Sequence, residues 1–474
     1  MKKSLCLLLA MVIMLAGCAF SGKTQAAAAS TAESAANAEP AADAEPAAET
    51  VQPEENAEAA AADAAVTDET ADSAAMTEDG YVISPIGPGG ITPEGTDAER
   101  GMTIQLERTT REAFDPVTGE ERILTFTWDT VQVQSDVNPD AAAKITETMA
   151  SLEEEWYNGT DEEGDTFMFG YSAMLGAAES HYNSAAEGEG MQAEFYSART
   201  VEALRADSEI CVFNVHYEVY MAGAHGSYLD EAVCFDARTG ERLTLASVGP
   251  DEEALKAQLV SEMTALVNED AEGYYSSRID PELFENDYQA AFNAMMRDGA
   301  WYPGEDGFHV ASAIYELGPY AAGPVDFVIP YEKLAASLDA RWIPAAAAQT
   351  AELEFMSMEM VPEGSMDIVD RVTVGEDGGT WLLFCQGEAL NLSIWTGSFG
   401  ESFIPQSQAF FCGSLRDAAL QVTLEIPGDL PSAMLRYTDA DGLHELLVSM
   451  SGEDGSLILT DLEGNPVATA DEGR

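Results

Sequence analysis

Val212 to Glu241 reads VFNVHYEVYMAGAHGSYLDEAVCFDARTGE. Val212–Tyr220 and Tyr228–Asp236 are rich in β-branched and aromatic residues, the composition of strands. Between them Met221-Ala222-Gly223-Ala224-His225-Gly226 is a turn of small residues. Beyond the second strand, Gly240 suits the positive φ of a tight turn. The stretch predicts a β-hairpin with one histidine at its tip, and the neighbouring segments are read outward from it.

Upstream, Thr103–Arg111 and Arg122–Gln134 alternate as strands around Asp115-Pro-Val-Thr118-Gly119-Glu120. Downstream, Asp236-Ala-Arg-Thr239-Gly240-Glu241 has the same pattern. Hairpin chemistry used twice explains the echo without a duplicated binding motif. Asn138 or Asp140 is placed to cap a helix carrying Ile145, Met149, Leu152 and Trp156 on one stripe, and a second helix is expected near 167–186. Helices are also predicted over 251–267, 281–296 and 331–338. The aromatic stripe Phe284, Tyr288, Phe292 has the spacing of a core face rather than of a cofactor box.

Met1–Gly17 has Lys2 and Lys3, an apolar run from Leu5 to Leu15, and then Leu15-Ala16-Gly17-Cys18. The run is too short to span a bilayer, and its ending resembles a bacterial lipobox. That resemblance implies cleavage before Cys18, lipid attachment at Cys18, and a location at the outer face of the cytoplasmic membrane. From Ala19 to about Glu99 the chain is Ala, Glu, Asp, Thr and Pro, too poor in apolar area to offset ordering entropy, so an extended acidic tether is expected.

The 474-residue chain carries 21 Lys+Arg against 85 Asp+Glu, a formal net charge of −64. Loss of Lys2 and Lys3 with the leader makes it two units more negative. Such a surface repels phosphates and excludes nucleic acid as a partner. It suits solubility or attraction to a basic protein. Of the cysteines beyond Cys18, Cys211 and Cys234 flank the hairpin turn almost symmetrically, and Cys385 and Cys412 lie in the C-terminal region. Disulfides Cys211–Cys234 and Cys385–Cys412 and four buried free thiols stand as alternatives.

After Pro344 an Ala-rich joint leads into short strands at 352–361, 367–374, 380–385, 390–396, 403–411, 420–426, 434–438, 443–450 and 456–462. That spacing suggests a small sandwich or barrel. The expected fold is therefore α+β, an antiparallel sheet with packed helices, followed by a smaller all-β domain. The expected division is leader 1–17, tether 18–100, α+β domain 101–345 and β domain 346–474.

Tyr220-Met-Ala-Gly223-Ala224-His225-Gly226, Phe235-Asp236-x-x-Thr239-Gly240-Glu241, Tyr315-Glu-Leu-Gly-Pro-Tyr320-Ala-Ala-Gly323 and Ile329-Pro330-Tyr331 together resemble one extracytoplasmic family. It is the DUF4163/DUF3298 region shared by RsiV-type anti-sigma factors and PdaC-type peptidoglycan deacetylases. The likeness covers about 102–344, with Ala222-Gly223 standing where the family has Gly-Gly. It implies a receptor for lysozyme or for another cell-wall ligand such as peptidoglycan. Tyr220, Gly223, His225, Gly226, Tyr228 and Tyr320 become the candidate ligand-binding residues.

His181, His216, His225, His309 and His444 form no His-x-x-x-His pair, and no catalytic Cys-His or Gly-x-Ser-x-Gly motif occurs. His216 and Glu218 share a strand face, which makes a metal pair conceivable but leaves it without a third ligand. No catalytic residue, metal set or cofactor is assigned. The leading expectation is a non-enzymatic, membrane-anchored lipoprotein that binds a cell-wall-related ligand. The alternative is an enzyme on cell-wall glycans using carboxylates such as Glu218 or Asp230, for which a cleft holding two carboxylates ~5–10 Å apart is the expected sign.

Overall fold

The computed structural model describes residues 101–160, 170–186, 193–270, 272–280, 288–358, 368–374, 378–399, 402–424, 431, 433–451 and 456–467, and the pairs 75–76 and 82–83. The leader, Cys18 and nearly all of the expected tether lie outside them. In that early segment Ala75–Met76 pairs antiparallel with Val82–Ile83. The residues described from Gly101 onward form one compact unit.

β1 (Thr103–Phe114) and β2 (Arg122–Gln134) are an antiparallel pair, with Thr103 opposite Gln134. α1 (Pro139–Asn158) and α2 (Tyr171–Ala186) then cross over, so that β3 (Phe195–Ala206) runs parallel to β2. β4 (Ile210–Tyr220) and β5 (Ser227–Asp236) complete an antiparallel meander. α1 begins with Pro139, whose missing N–H costs nothing in a first turn. It ends on Gly159 at φ +68, whose N–H bonds Glu155 and Trp156 carbonyls. The repeated Asp-x-x-Thr-Gly-Glu turns share one device. Asp115 and Asp236 accept backbone N–H groups of the turn through their side chains, and Gly119 and Gly240 take φ +69 and +68.

β4 is buried on both faces over Ile210–Phe213, where its sequence is unbroken apolar; beyond that Asn214, His216 and Glu218 leave one face polar and only half-buried. Cys211, Phe213 and Val215 pack with Ile145 and Met149 of α1. Ile210 and Val212 point the other way, into a core built from the following segment. That segment supplies α3 (Glu252–Asn268), α4 (Gln289–Met295), α5 (Tyr331–Leu334), and a small sheet. The small sheet has β6 (Trp301–Pro303), β7 (Phe308–Ala311) and β8 (Asp326–Ile329) in the order β8-β7-β6. Asp251 caps α3 by accepting from the Ala254 N–H. The predicted helix over 281–296 is described only from Tyr288 onward, and that over 331–338 is a single turn.

The C-terminal region does not fold apart from this sheet. β9 (Ala351–Ser357), β10 (Ile368–Val374), β11 (Gly379–Phe399), β12 (Phe403–Leu424), β13 (Ala433–Asp439), β14 (Gly442–Met450) and β15 (Leu457–Thr460) extend it. The main order is β15-β14-β13-β11-β12-β1-β2-β3-β4-β5, with β9 on β11 and β10 on β12, twelve strands in all. The join is β12 to β1, where Phe410, Phe411 and Cys412 face Gln105, Ile104 and Thr103. Gly413 makes that approach possible, since a Cβ there would stand 1.9 Å from the Ala206 carbonyl oxygen.

The expected α+β domain with packed helices followed by a smaller all-β domain is therefore corrected. Of the described residues 46% are strand and 23% helix, and one mixed sheet dominates. The physical reason lies in β11 and β12. The sequence pattern of each predicts two short strands, yet each runs through its polar interruptions as a bulged, bent single strand. Register shifts fall between Cys385 and Glu388 and between Ile394 and Trp395. Gly387, Asn391 and Asp417 take positive φ there without ending the strands.

All four described cysteines are buried free thiols. Cys211 faces the α1 side of the sheet and Cys234 the α3 side, so a bond between them would have to pass through the sheet. No described helix is long and apolar enough to cross a membrane.

Candidate functional site

Glu218 pairs with Tyr228 and Val219 with Ser227 at the end of the β4–β5 hairpin. Ala222 takes φ +58 in the turn beyond. The exposed His225 ring turns back and stacks on Tyr320, with centroids 3.9 Å apart and planes 26° apart. His225 Nδ1 lies 2.7 Å from the Gly226 carbonyl oxygen, so Nδ1 carries the proton in the neutral ring. Nε2 is then left to accept from the Tyr315 hydroxyl at 3.4 Å.

Tyr320 is the hub. It meets Tyr228 edge-on at 6.2 Å and Tyr315 at 5.7 Å. Tyr228 in turn meets the His216 ring at 5.7 Å. On the neighbouring strand Tyr196 stacks on Tyr220 at 5.6 Å, and its hydroxyl donates to Glu218 Oε1 at 2.7 Å. Two glycines fit between these rings. A Cβ on Gly226 would stand 3.0 Å from the Tyr196 hydroxyl, and Gly323, at φ +72, lies beside the Tyr228 hydroxyl.

The electrostatics follow from this crowding. Burial raises the Tyr196 phenol, and its bond to Glu218 raises it further. Burial also raises Tyr228, with Tyr320, Asp230 and Glu218 close by. His216 loses hydration on burial, but the Asp230 carboxylate 2.9 Å from Nδ1 outweighs that loss, and its pKa is raised. Asp230 also accepts from Asn214 at 3.2 Å.

Of the sequence candidates, His225, Tyr228 and Tyr320 form one connected ring cluster. Tyr220 stands beside it on Tyr196, Gly226 packs under the Tyr196 hydroxyl, and Gly223 is exposed at the tip with no ring against it. Sequence reading missed Tyr315 and Tyr196. Tyr315 had a signal: it opens the Tyr315-Glu-Leu-Gly-Pro-Tyr320 stretch. It takes φ +65, a strained conformation for an aromatic residue, and remains 38% exposed. Tyr196 had none beyond the period-two face it shares across β3 and β4. The conceived metal pair is divided between other partners, His216 with Asp230 and Glu218 with Tyr196. Among the described residues no group of three or more metal-ligating side chains converges.

Residues 250–332 match the family model described as "Protein of unknown function (DUF3298)". The matched segment holds α3, α4 and β6–β8, and it contributes Tyr315 and Tyr320 to the ring cluster, while the hairpin lies before it. Among solved structures, a DUF3298 family member from Bacteroides fragilis NCTC 9343 is 18% identical, covering 50% of this chain and 94% of its own, with a TM-score of 0.36. A DUF3298 family protein from Pseudomonas aeruginosa PAO1 is 16% identical, covering 51% and 97%, with a TM-score of 0.33. No curated protein matches the chain.

Proposed function

We propose that this chain is a non-enzymatic lipoprotein, anchored through Cys18 at the outer face of the bacterial cytoplasmic membrane. In this reading its ring-lined hairpin binds a cell-wall-related ligand, either a basic protein of the lysozyme kind or peptidoglycan. The observation that carries the proposal is the His225–Tyr320 stack, an aromatic pair held at the surface and braced by a strained, exposed Tyr315. Rigid aromatic groups of this kind supply much of the energy of recognition surfaces. Glu218 and Asp230 rim the cluster, and with the net charge of −64 they favour a cationic partner. Both carboxylates are engaged, by Tyr196 and by His216 and Asn214, which suits ordering groups better than a catalytic pair. The lipobox resemblance and the RsiV-type and PdaC-type motifs support the location and the ligand class.

Calorimetric titration with lysozyme and with purified muropeptides, at low and moderate salt, tests the proposal. Binding of either is expected, with the lysozyme affinity falling as salt rises. Absence of binding to both at moderate salt would contradict it.

A further inference from the structure

A second feature lies apart from the hairpin tip, where β3 and the β6–β7 turn meet β11, β12 and β13. A cavity of about 190 Å³ opens there. Its wall includes Glu202, Tyr302, Asn391, Trp395, Arg436 and Tyr437. The wall is chemically unfinished. Glu202 makes no hydrogen bond or salt bridge to a described residue; burial raises its pKa, and the charge of Arg436 across the cavity only partly opposes this. Asn391 Oδ1 is buried and has no hydrogen-bond partner. The backbone that presents Asn391 is held at φ +50, inside a strand that continues past it. The bulge that turns Asn391 thus places an orphaned buried acceptor on the cavity wall.

The unmatched groups are mixed in kind. Glu202 and Asn391 Oδ1 seek donors, whereas Arg436 can only donate and meets Glu445 at a long 3.7 Å. A simple cation would satisfy the first two and be repelled by the third. An anion would do the reverse. Hydroxyl groups donate and accept at once, so vicinal hydroxyls on one ring answer both. Trp395 and Tyr437 add apolar ring surface; the Trp395 indole N–H is already committed to Ser393 at 2.9 Å, and Tyr437 stacks one face on His444. The volume is smaller than the roughly 300–1,000 Å³ of drug-sized sites, so the occupant is small.

We propose that this cavity binds a single neutral sugar ring, free or at the end of a glycan, through Glu202, Asn391 and Arg436 with Trp395 as the apolar wall. The proposal does not depend on the hairpin reading. Glu202 nevertheless lies opposite Asn214, whose side chain reaches Asp230, so the cavity opens along the sheet face that carries the ring cluster.

The test is calorimetric and ligand-observed NMR titration of the whole chain with glucose, galactose, mannose and N-acetylglucosamine, and with methylammonium as the cationic control. Asn391→Gly removes the acceptor while keeping a residue at ease with positive φ, and Glu202→Gln keeps shape while removing charge. At least one sugar is expected to bind in the millimolar range. Each cavity variant should weaken that binding by about tenfold or more at an unchanged melting temperature. His225→Ala/Tyr320→Ala should leave it intact. No sugar binding to the unaltered chain, equal binding by both cavity variants, loss of binding in the hairpin variant, or binding of methylammonium without any sugar would each overturn the proposal.

Discussion

At the scale of single residues, burial decides the chemistry of this chain more than residue type does. Cys211, Cys234 and Cys385 are held as neutral thiols because their thiolates would lose hydration, and Cys234 and Cys385 are pushed up to about 12. The thiolate is the reactive form. The native protein is therefore expected to leave these thiols unlabelled by a disulfide-exchange reagent at neutral pH, and to release them only on unfolding; rapid labelling of the folded chain would contradict this placement. His309 shows the opposite balance. It is buried, but Asp326 and Asp306 each lie 2.8 Å from a ring nitrogen, and together they raise its pKa. A histidine raised in the folded state stabilises fully below its unfolded pKa of about 6.5, and that contribution is lost as pH rises through the folded value. The melting temperature should fall as pH rises from about 6.5, and His309→Gln should flatten the fall. A melting profile of the variant parallel to that of the parent would rule this pair of contacts out as the cause.

At the scale of elements, the hairpin was legible because its strands carry β-branched and aromatic residues on either side of a run of small ones. β4 and β5 lie within two residues of where that pattern places them. α1 and α3 were legible from their apolar stripes, whereas Asn138, which stands at the start of α1, makes no side-chain capping bond there. The long strands β11 and β12 were not, since Gly387, Asn391 and Asp417 look like turn residues and instead sit in bulges. Whether a positive-φ residue ends a strand or bends it depends on the partner strand, which sequence does not display. The β3–β12 contact was equally hidden. Gln408 is 2% exposed and clamps Ala203, accepting from its N–H at 2.7 Å and donating to its carbonyl at 3.1 Å. Gln408→Leu leaves both backbone groups unpaired and should destabilise the fold by about 1–3 kcal/mol, measured by denaturant unfolding. A loss within error of zero would show that water replaces the clamp.

At the scale of the whole molecule, one sheet carries both the hairpin cluster and the cavity, and the segment matching DUF3298 packs on that sheet against Ile210, Val212 and Cys234. The candidate site was half legible. Its hairpin half could be read from the small-residue turn and His225, whereas the packing of Tyr315 and Tyr196 against it is a product of the fold. Binding through the hairpin requires the ring cluster to be a recognition surface rather than a well-packed turn. The direct measurement is the affinity of the parent and of His225→Ala/Tyr320→Ala for whichever of lysozyme or muropeptide binds, at matched folded content. Loss of an aromatic anchor that becomes buried only on binding predicts a weakening of about 30-fold or more, corresponding to roughly 2 kcal/mol. An unchanged affinity in a fully folded double variant would contradict the account.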